Sequence, residues 1–137
     1  MSVRQLVKDN PDPVALLEIN ELNLELELAT SAALQHMYSE LALDAEEIYM
    51  ESTLTLERHE LDLAQNYKAK WEPSKKSDKL TETEIKRSYR GDDTWLKLKK
   101  QNNKDEINYK KLENASKAFA NKNDACRSIN ARQLKGV

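Results

Sequence analysis

The stretch Asn66–Lys76, NYKAKWEPSKK, decides how this chain is read. Pro73 is the first proline after Pro13. Proline lacks the backbone N–H and restricts the residue before it, so a helical pattern that reaches Trp71 has to stop there. Charge changes sign at the same place. Residues 1–65 carry 3 basic and 14 acidic residues, a net of -11, and residues 66–137 carry 19 basic and 10 acidic, a net of +9. An acidic half and a basic half suit attraction of a polyanion at one end, or stacking against copies of the same chain.

Upstream of this boundary, Thr30 or Ser31 is positioned to cap a helix running to about Trp71. Leu34, Tyr38, Leu41, Ala45 and Ile48 recur at spacings of four and three, and the pattern continues less regularly through Leu54, Leu61 and Ala64. That spacing predicts one buried stripe. A helix of this length is a rod of roughly 60 Å, which needs a second helix alongside it.

Downstream, SKKSDK reads as a solvated turn, and Thr81 with Glu84 has capping-box spacing for a short helix. Ile85 and Tyr89 supply its apolar face and Gly91 its C-cap. Asp92 and Asp93 then cap a last long helix. Its heptad runs through Trp95, Leu98, Asn102, Asp105, Tyr109, Leu112, Ser116, Phe119, Asn123, Cys126, Asn130 and Gln133. Half of these positions are polar, which costs stability and specifies register or oligomer state. The expected fold is therefore all-α: a long antiparallel, coiled-coil-like helical hairpin over 31–137, with a short helix at its tip (73–92), assembling as an oligomer.

Residues 1–30 are expected to form an N-terminal arm. A short turn is expected around Val3–Val7, and Asp12 before Pro13 marks the start of a short helix to Ile19. In ELNLELEL, residues 21–28, Leu22, Leu24, Leu26 and Leu28 alternate with Asn23, Glu25 and Glu27, which is strand periodicity. Leu and Glu prefer helix, but the alternation favours an extended arm that pairs with another chain.

Composition agrees with long amphipathic helices. Only 39% of the 137 residues are hydrophobic, too few for a large private core, and two glycines cannot supply the turns of a sandwich or barrel. The single cysteine, Cys126, excludes an internal disulfide and reads as a buried thiol in a reducing compartment. No segment has the length and apolarity of a membrane span, and the N-terminus, MSVRQLVKDNPDP, lacks the apolar run of a signal peptide.

No glycine-rich phosphate loop, nucleophile elbow or Cys/His metal pair is present, so the chain is expected to be neither an enzyme nor a holder of a cofactor or metal. His36 and His59 lie more than about 30 Å apart along one helix and cannot share a metal within a subunit. Pairs such as Glu46 with Glu47 read as solvated helix surface.

The basic cluster is different in kind. Lys68 and Lys70 precede Trp71; Lys75, Lys76 and Lys79 follow, then Lys86, Arg87 and Arg90, then Lys97, Lys99 and Lys100. Tyr67, Trp71, Tyr89 and Trp95 are interleaved with them. Ammonium and guanidinium groups meet phosphates while rings stack on unpaired bases, which suits single-stranded nucleic acid. No recognition-helix or finger motif points to duplex reading. Trp71 and Trp95 can equally close the hairpin tip as core.

At three places the chain resembles the phage recombination mediators of the UvsY type, over roughly residues 28–136. LQHMY, Leu34–Tyr38, is similar to a Leu and Tyr four apart near the start of that family's first long helix. YKAKW is similar to its Lys-x-Arg/Lys segment followed by an aromatic. SINARQLKGV resembles its closing pattern, through Ile129, Arg132, Leu134 and Gly136. The chain departs from the family where Trp71, Glu72, Pro73 and Ser74 stand in place of Tyr-Tyr-Ser-Gly, and where Leu134 replaces an aromatic.

The resemblance implies a mediator in the cytoplasm of an infected bacterial host. Such a protein binds single-stranded DNA and loads a RecA-like phage recombinase in place of single-strand-binding protein during recombination, repair and replication. It implies a ring-like homo-oligomer and makes Lys68 and Lys70 the DNA-contacting cations. The residues of the basic region give a candidate set of Lys68, Lys70, Trp71, Lys75, Lys76, Arg87, Arg90 and Lys97. The competing expectation is a coiled-coil adaptor or scaffold that binds no DNA.

Overall fold

The computed structural model describes residues 2–10, 12–73 and 78–136. Every regular element among them is helical. α1 spans Val3–Asp9, two short 3-10 turns cover Pro13–Leu17 and Glu21–Asn23, α2 spans Leu24–Lys70, α3 Glu82–Tyr89 and α4 Asp93–Lys135. The chain divides into two compact units, Met1–Ala45 with Asn108–Val137, and Glu46–Ile107.

The expected extended arm is not found. Asn20 accepts a hydrogen bond from the Leu22 N–H at 3.1 Å and opens the turn Glu21–Asn23, which leads directly into α2. The helix thus starts at Leu24 rather than at Thr30 or Ser31. Propensity overrides the alternating pattern here, because Leu, Glu and Ala extend an existing helix at little cost. Helical geometry also scatters the leucines: Leu24 is buried, whereas Leu22 and Leu26 are exposed.

In the first unit the core is Leu34, Tyr38, Ala115 and Phe119, with Val3, Leu6, Val7, Leu16, Leu17, Leu41 and Leu112 packed around it. α1 exists because Ser2 caps it, accepting from the Gln5 N–H, and because its Val3, Leu6 and Val7 have this core to cover. Asp12 caps the turn at Pro13, as its position before a proline predicts, although the turn is 3-10 and closes at Leu17. The Tyr38 and Phe119 rings stack at 5.3 Å with 12° between their planes.

Polar groups pair beside that stack. Ser39 and Ser116 share a hydroxyl hydrogen bond, Asn123 Nδ2 donates to Gln35 Oε1 at 2.6 Å, and Tyr38 Oη donates to the Asn10 carbonyl at 3.3 Å. Buried Lys122 donates to the Leu16 carbonyl at 2.7 Å and pairs with Glu27 at 2.8 Å. Cys126 is a buried free thiol.

In the second unit Asn102, 6% exposed, donates from Nδ2 to Ser52 Oγ and Thr53 Oγ1 at 3.0 and 2.8 Å. Tyr49 Oη donates to Glu106 at 3.4 Å. Leu56, Ile85 and Tyr89 are buried, and Tyr89 packs against Trp95 with ring centroids 6.1 Å apart.

The heptad read along α4 is buried or half-buried at each position from Trp95 to Cys126, while Asn130 and Gln133 are exposed. The stripe read along α2 holds at Leu34, Tyr38, Leu41 and Ala45, then changes. Tyr49, Ser52, Leu56, His59 and Leu63 turn inward, while Ile48, Leu54 and Leu61 are exposed. Tyr38, Ala42, Ala45, Tyr49, Ser52, Leu56, His59 and Leu63 follow one another at alternating spacings of four and three, the 3.5-residue repeat of paired helices. Geometry keeps this register even where it places Ser52 and His59 inside and three large apolar residues outside.

Candidate nucleic-acid interface

Four helix ends position this region of the second unit. α2 stops at Lys70, two residues before Glu72, whose position ahead of Pro73 disfavours helix. α3 is capped by Thr81, whose hydroxyl accepts from the Glu84 N–H at 3.3 Å, the threonine half of the expected capping box. α3 ends at Tyr89 with Arg90, not Gly91, as its cap. Gly91 has no positive φ, and a Cβ there would make only ordinary contact with the Ser88 carbonyl, so no left-handed C-cap forms.

Asp92 does cap α4. Its Oδ2 accepts from the Trp95 N–H at 2.8 Å and meets His59 Nε2 at 2.6 Å, joining α2 to the start of α4 within this unit. The His59 hydrogen bond, followed by that from the Trp95 N–H, holds the Asp92 carboxyl below its ordinary range. Burial, reinforced by the Glu60 charge, pushes the Tyr89 phenol up. Tyr89 is therefore a neutral core ring at ordinary pH.

An open cleft in the unit is lined by Tyr67, Trp71, Glu84, Arg87 and Ser88. Trp71 and Arg87, far apart in sequence, are thus brought together, and Tyr67 joins them one helical turn before Trp71. Lys68 and Lys70 are exposed in the last turn of α2, beside the two rings in sequence. Lys86 and Arg87 are exposed in the last turn of α3, where cations also complement the helix dipole. Arg90 and Lys97 are exposed and are not among the residues that line the cleft. Lys75 and Lys76 lie outside the described residues.

Among the described residues, none of Lys68, Lys70, Arg87, Arg90 and Lys97 is held in an ion pair. These charges are available to an anion. The aromatic residues divide: Tyr67 and Trp71 line the open cleft, whereas Tyr89 and Trp95 pack on each other. The Trp95 Nε1–H is buried with no hydrogen-bond partner. Glu84 puts a carboxylate on the cleft wall and limits how much negative charge it accepts there.

The His59–Asp92 joint is the feature that sequence reading misses. Asp92 is legible as a cap from its place before a helix, but nothing in the order of residues signals a partner 33 positions upstream. No group of three or more metal-ligating side chains occurs among the described residues, and no helix there is long and apolar enough to cross a membrane.

No family model, curated protein or solved structure matches the chain.

Proposed function

We propose that this chain is a non-enzymatic mediator that binds single-stranded DNA through the basic end of its second unit. The observation that carries the reading is the open cleft that sets Trp71 and Tyr67 beside Arg87, with the unengaged cations Lys68 and Lys70 on the adjoining turn. Phosphates meet the cations and unpaired bases stack on the rings, a combination that needs no base-specific contact. Arg90 and Lys97 extend the basic surface.

In this reading α2 and α4 are the arms of an antiparallel hairpin with α3 at its tip. Copies assemble as a ring, so that weak contacts at each tip combine through effective concentration. The resemblance of LQHMY, YKAKW and SINARQLKGV to the UvsY-type family supports the rest: loading of a RecA-like recombinase onto DNA in place of single-strand-binding protein, in the cytoplasm of a phage-infected bacterium.

The test is fluorescence anisotropy with a labelled oligothymidylate, titrated at about 50 and 200 mM salt. Affinity is expected to fall steeply between the two. Lys68→Ala with Lys70→Ala should weaken binding on all sequences alike and lower the log–log salt slope by about 1.4, two phosphates on a single strand. Absence of binding at the lower salt favours the non-DNA-binding adaptor. Unchanged binding in the double variant removes the tip from the interface.

A further inference from the structure

α2 carries a second apolar stripe that nothing in its unit covers. Met50, Leu54 and Leu61 are 57%, 53% and 58% exposed. At 3.6 residues per turn they share one side of the helix, facing away from the inward Ser52, Leu56 and His59. Glu47, Glu51 and Glu57 flank them together with one cation, Arg58, all exposed and none in an ion pair among the described residues, so the edge charge is predominantly negative. An apolar strip edged by carboxylates is repelled by DNA and by anionic lipid. Its occupant has to be apolar at the centre and basic at the edges.

The same unit presents such a surface on α4. Leu96 and Ile107 are 42% and 55% exposed, on the side of α4 away from the inward Leu98, Asn102 and Asp105. Lys99, Lys100 and Lys104 surround them, exposed and likewise without an ion pair. Spacing matches as well as charge. Met50 and Leu61 stand about three turns apart, roughly 16 Å, and so do Leu96 and Ile107. Two copies joined through the acidic stripe alone would set Glu47, Glu51 and Glu57 against their own kind, at a cost.

We infer that the outer face of α2 around Met50, Leu54 and Leu61 docks against the outer face of α4 around Leu96 and Ile107 in a second copy of this chain. Glu47, Glu51 and Glu57 then meet Lys99, Lys100 and Lys104. The contact is heterologous, since each copy gives a different face to each neighbour, and it propagates until it closes. This interface rests on the oligomeric part of the proposed function and is independent of the DNA-binding part.

Sedimentation velocity on nucleic-acid-free protein tests it. The native chain is expected to associate, more weakly at high salt. Leu54→Glu, the pair Glu47→Lys with Glu51→Lys, and the pair Lys100→Glu with Lys104→Glu should each raise the dissociation constant at least about tenfold. All five positions are exposed, and far-UV circular dichroism of each variant should match the native chain. Leu54→Ser replaces Leu54→Glu if helix content falls. Mixing the two charge-reversed proteins should restore association, because each then supplies the complement of the other.

A monomeric native chain overturns both this interface and the oligomeric reading, while the anisotropy titration still decides DNA binding. Association that survives all three variants overturns the interface alone. Sensitivity to the α2 variants without sensitivity to the lysine reversals also overturns it, and points to self-pairing of α2 or to a basic partner of another kind.

Discussion

Removing Glu27 should destabilise the first unit more than removing Lys122, although both changes delete the same ion pair. The Lys122 side chain is 6% exposed and that of Glu27 25%, and their charged atoms are 2.8 Å apart. Lys122 also donates to the Leu16 carbonyl at 2.7 Å. In Glu27→Ala the ammonium stays buried with its counter-charge gone, a situation that costs about 3–5 kcal/mol when the charge cannot move, less when it reaches water. In Lys122→Met the long apolar stem is kept, Glu27 turns to solvent, and the main loss is one hydrogen bond to the Leu16 carbonyl, about 1–2 kcal/mol. Urea unfolding followed by circular dichroism gives both values. The double variant should be more stable than Glu27→Ala alone. A Lys122→Met chain less stable than Glu27→Ala would refute the reasoning, since it would mean that the buried cation contributes more than its desolvation costs.

Two further outcomes follow from the same structure. Phe119 is fully buried against Tyr38, so Phe119→Ala should cost about 3–5 kcal/mol, with Phe119→Leu costing far less; a scanning thermal melt should show the alanine variant about 10–20 °C below the native chain. Acid stability should follow Asp92 and Glu113, both held below their ordinary values of 3.8 and 4.5, Asp92 first by His59 and Glu113 first by the Tyr109 hydroxyl. A carboxyl depressed on folding stabilises above its unfolded value and stops doing so as pH falls through its folded value. The melting temperature is thus expected to be insensitive to these groups above about pH 4.5 and to fall below it, less steeply in Asp92→Asn.

What the sequence made legible is what depends on near neighbours. Asp12 before Pro13, Thr81 three residues before Glu84 and Asp92 ahead of a helix each predict a cap that forms, because a cap needs only a side chain and an N–H within one turn. The α4 heptad is equally visible as far as Cys126, beyond which Asn130 and Gln133 are exposed. Leu22–Leu28 misleads because a period of two, read over so few residues, competes with helix propensity and with 47 residues of continuous helix. Beyond Ala45 apolarity is a poor guide on α2: Ser52 and His59 face inward through bonds to Asn102 and Asp92, and those partners lie 50 and 33 residues away. Of the candidate site, the run of cations is plain in the chain. That Trp71 shares a cleft with Arg87 while Trp95 shares a core with Tyr89 depends on tertiary placement that spacing does not encode.

The split of the chain into two units has a practical consequence for how its folding can be followed. Both tryptophans, Trp71 and Trp95, belong to the second unit, whereas the single cysteine, Cys126, is buried in the first. Native fluorescence therefore reports on one unit and thiol labelling on the other, without any engineered probe. Coincident transitions by the two signals would mark a single cooperative molecule, and separated ones two regions that open at different free energies.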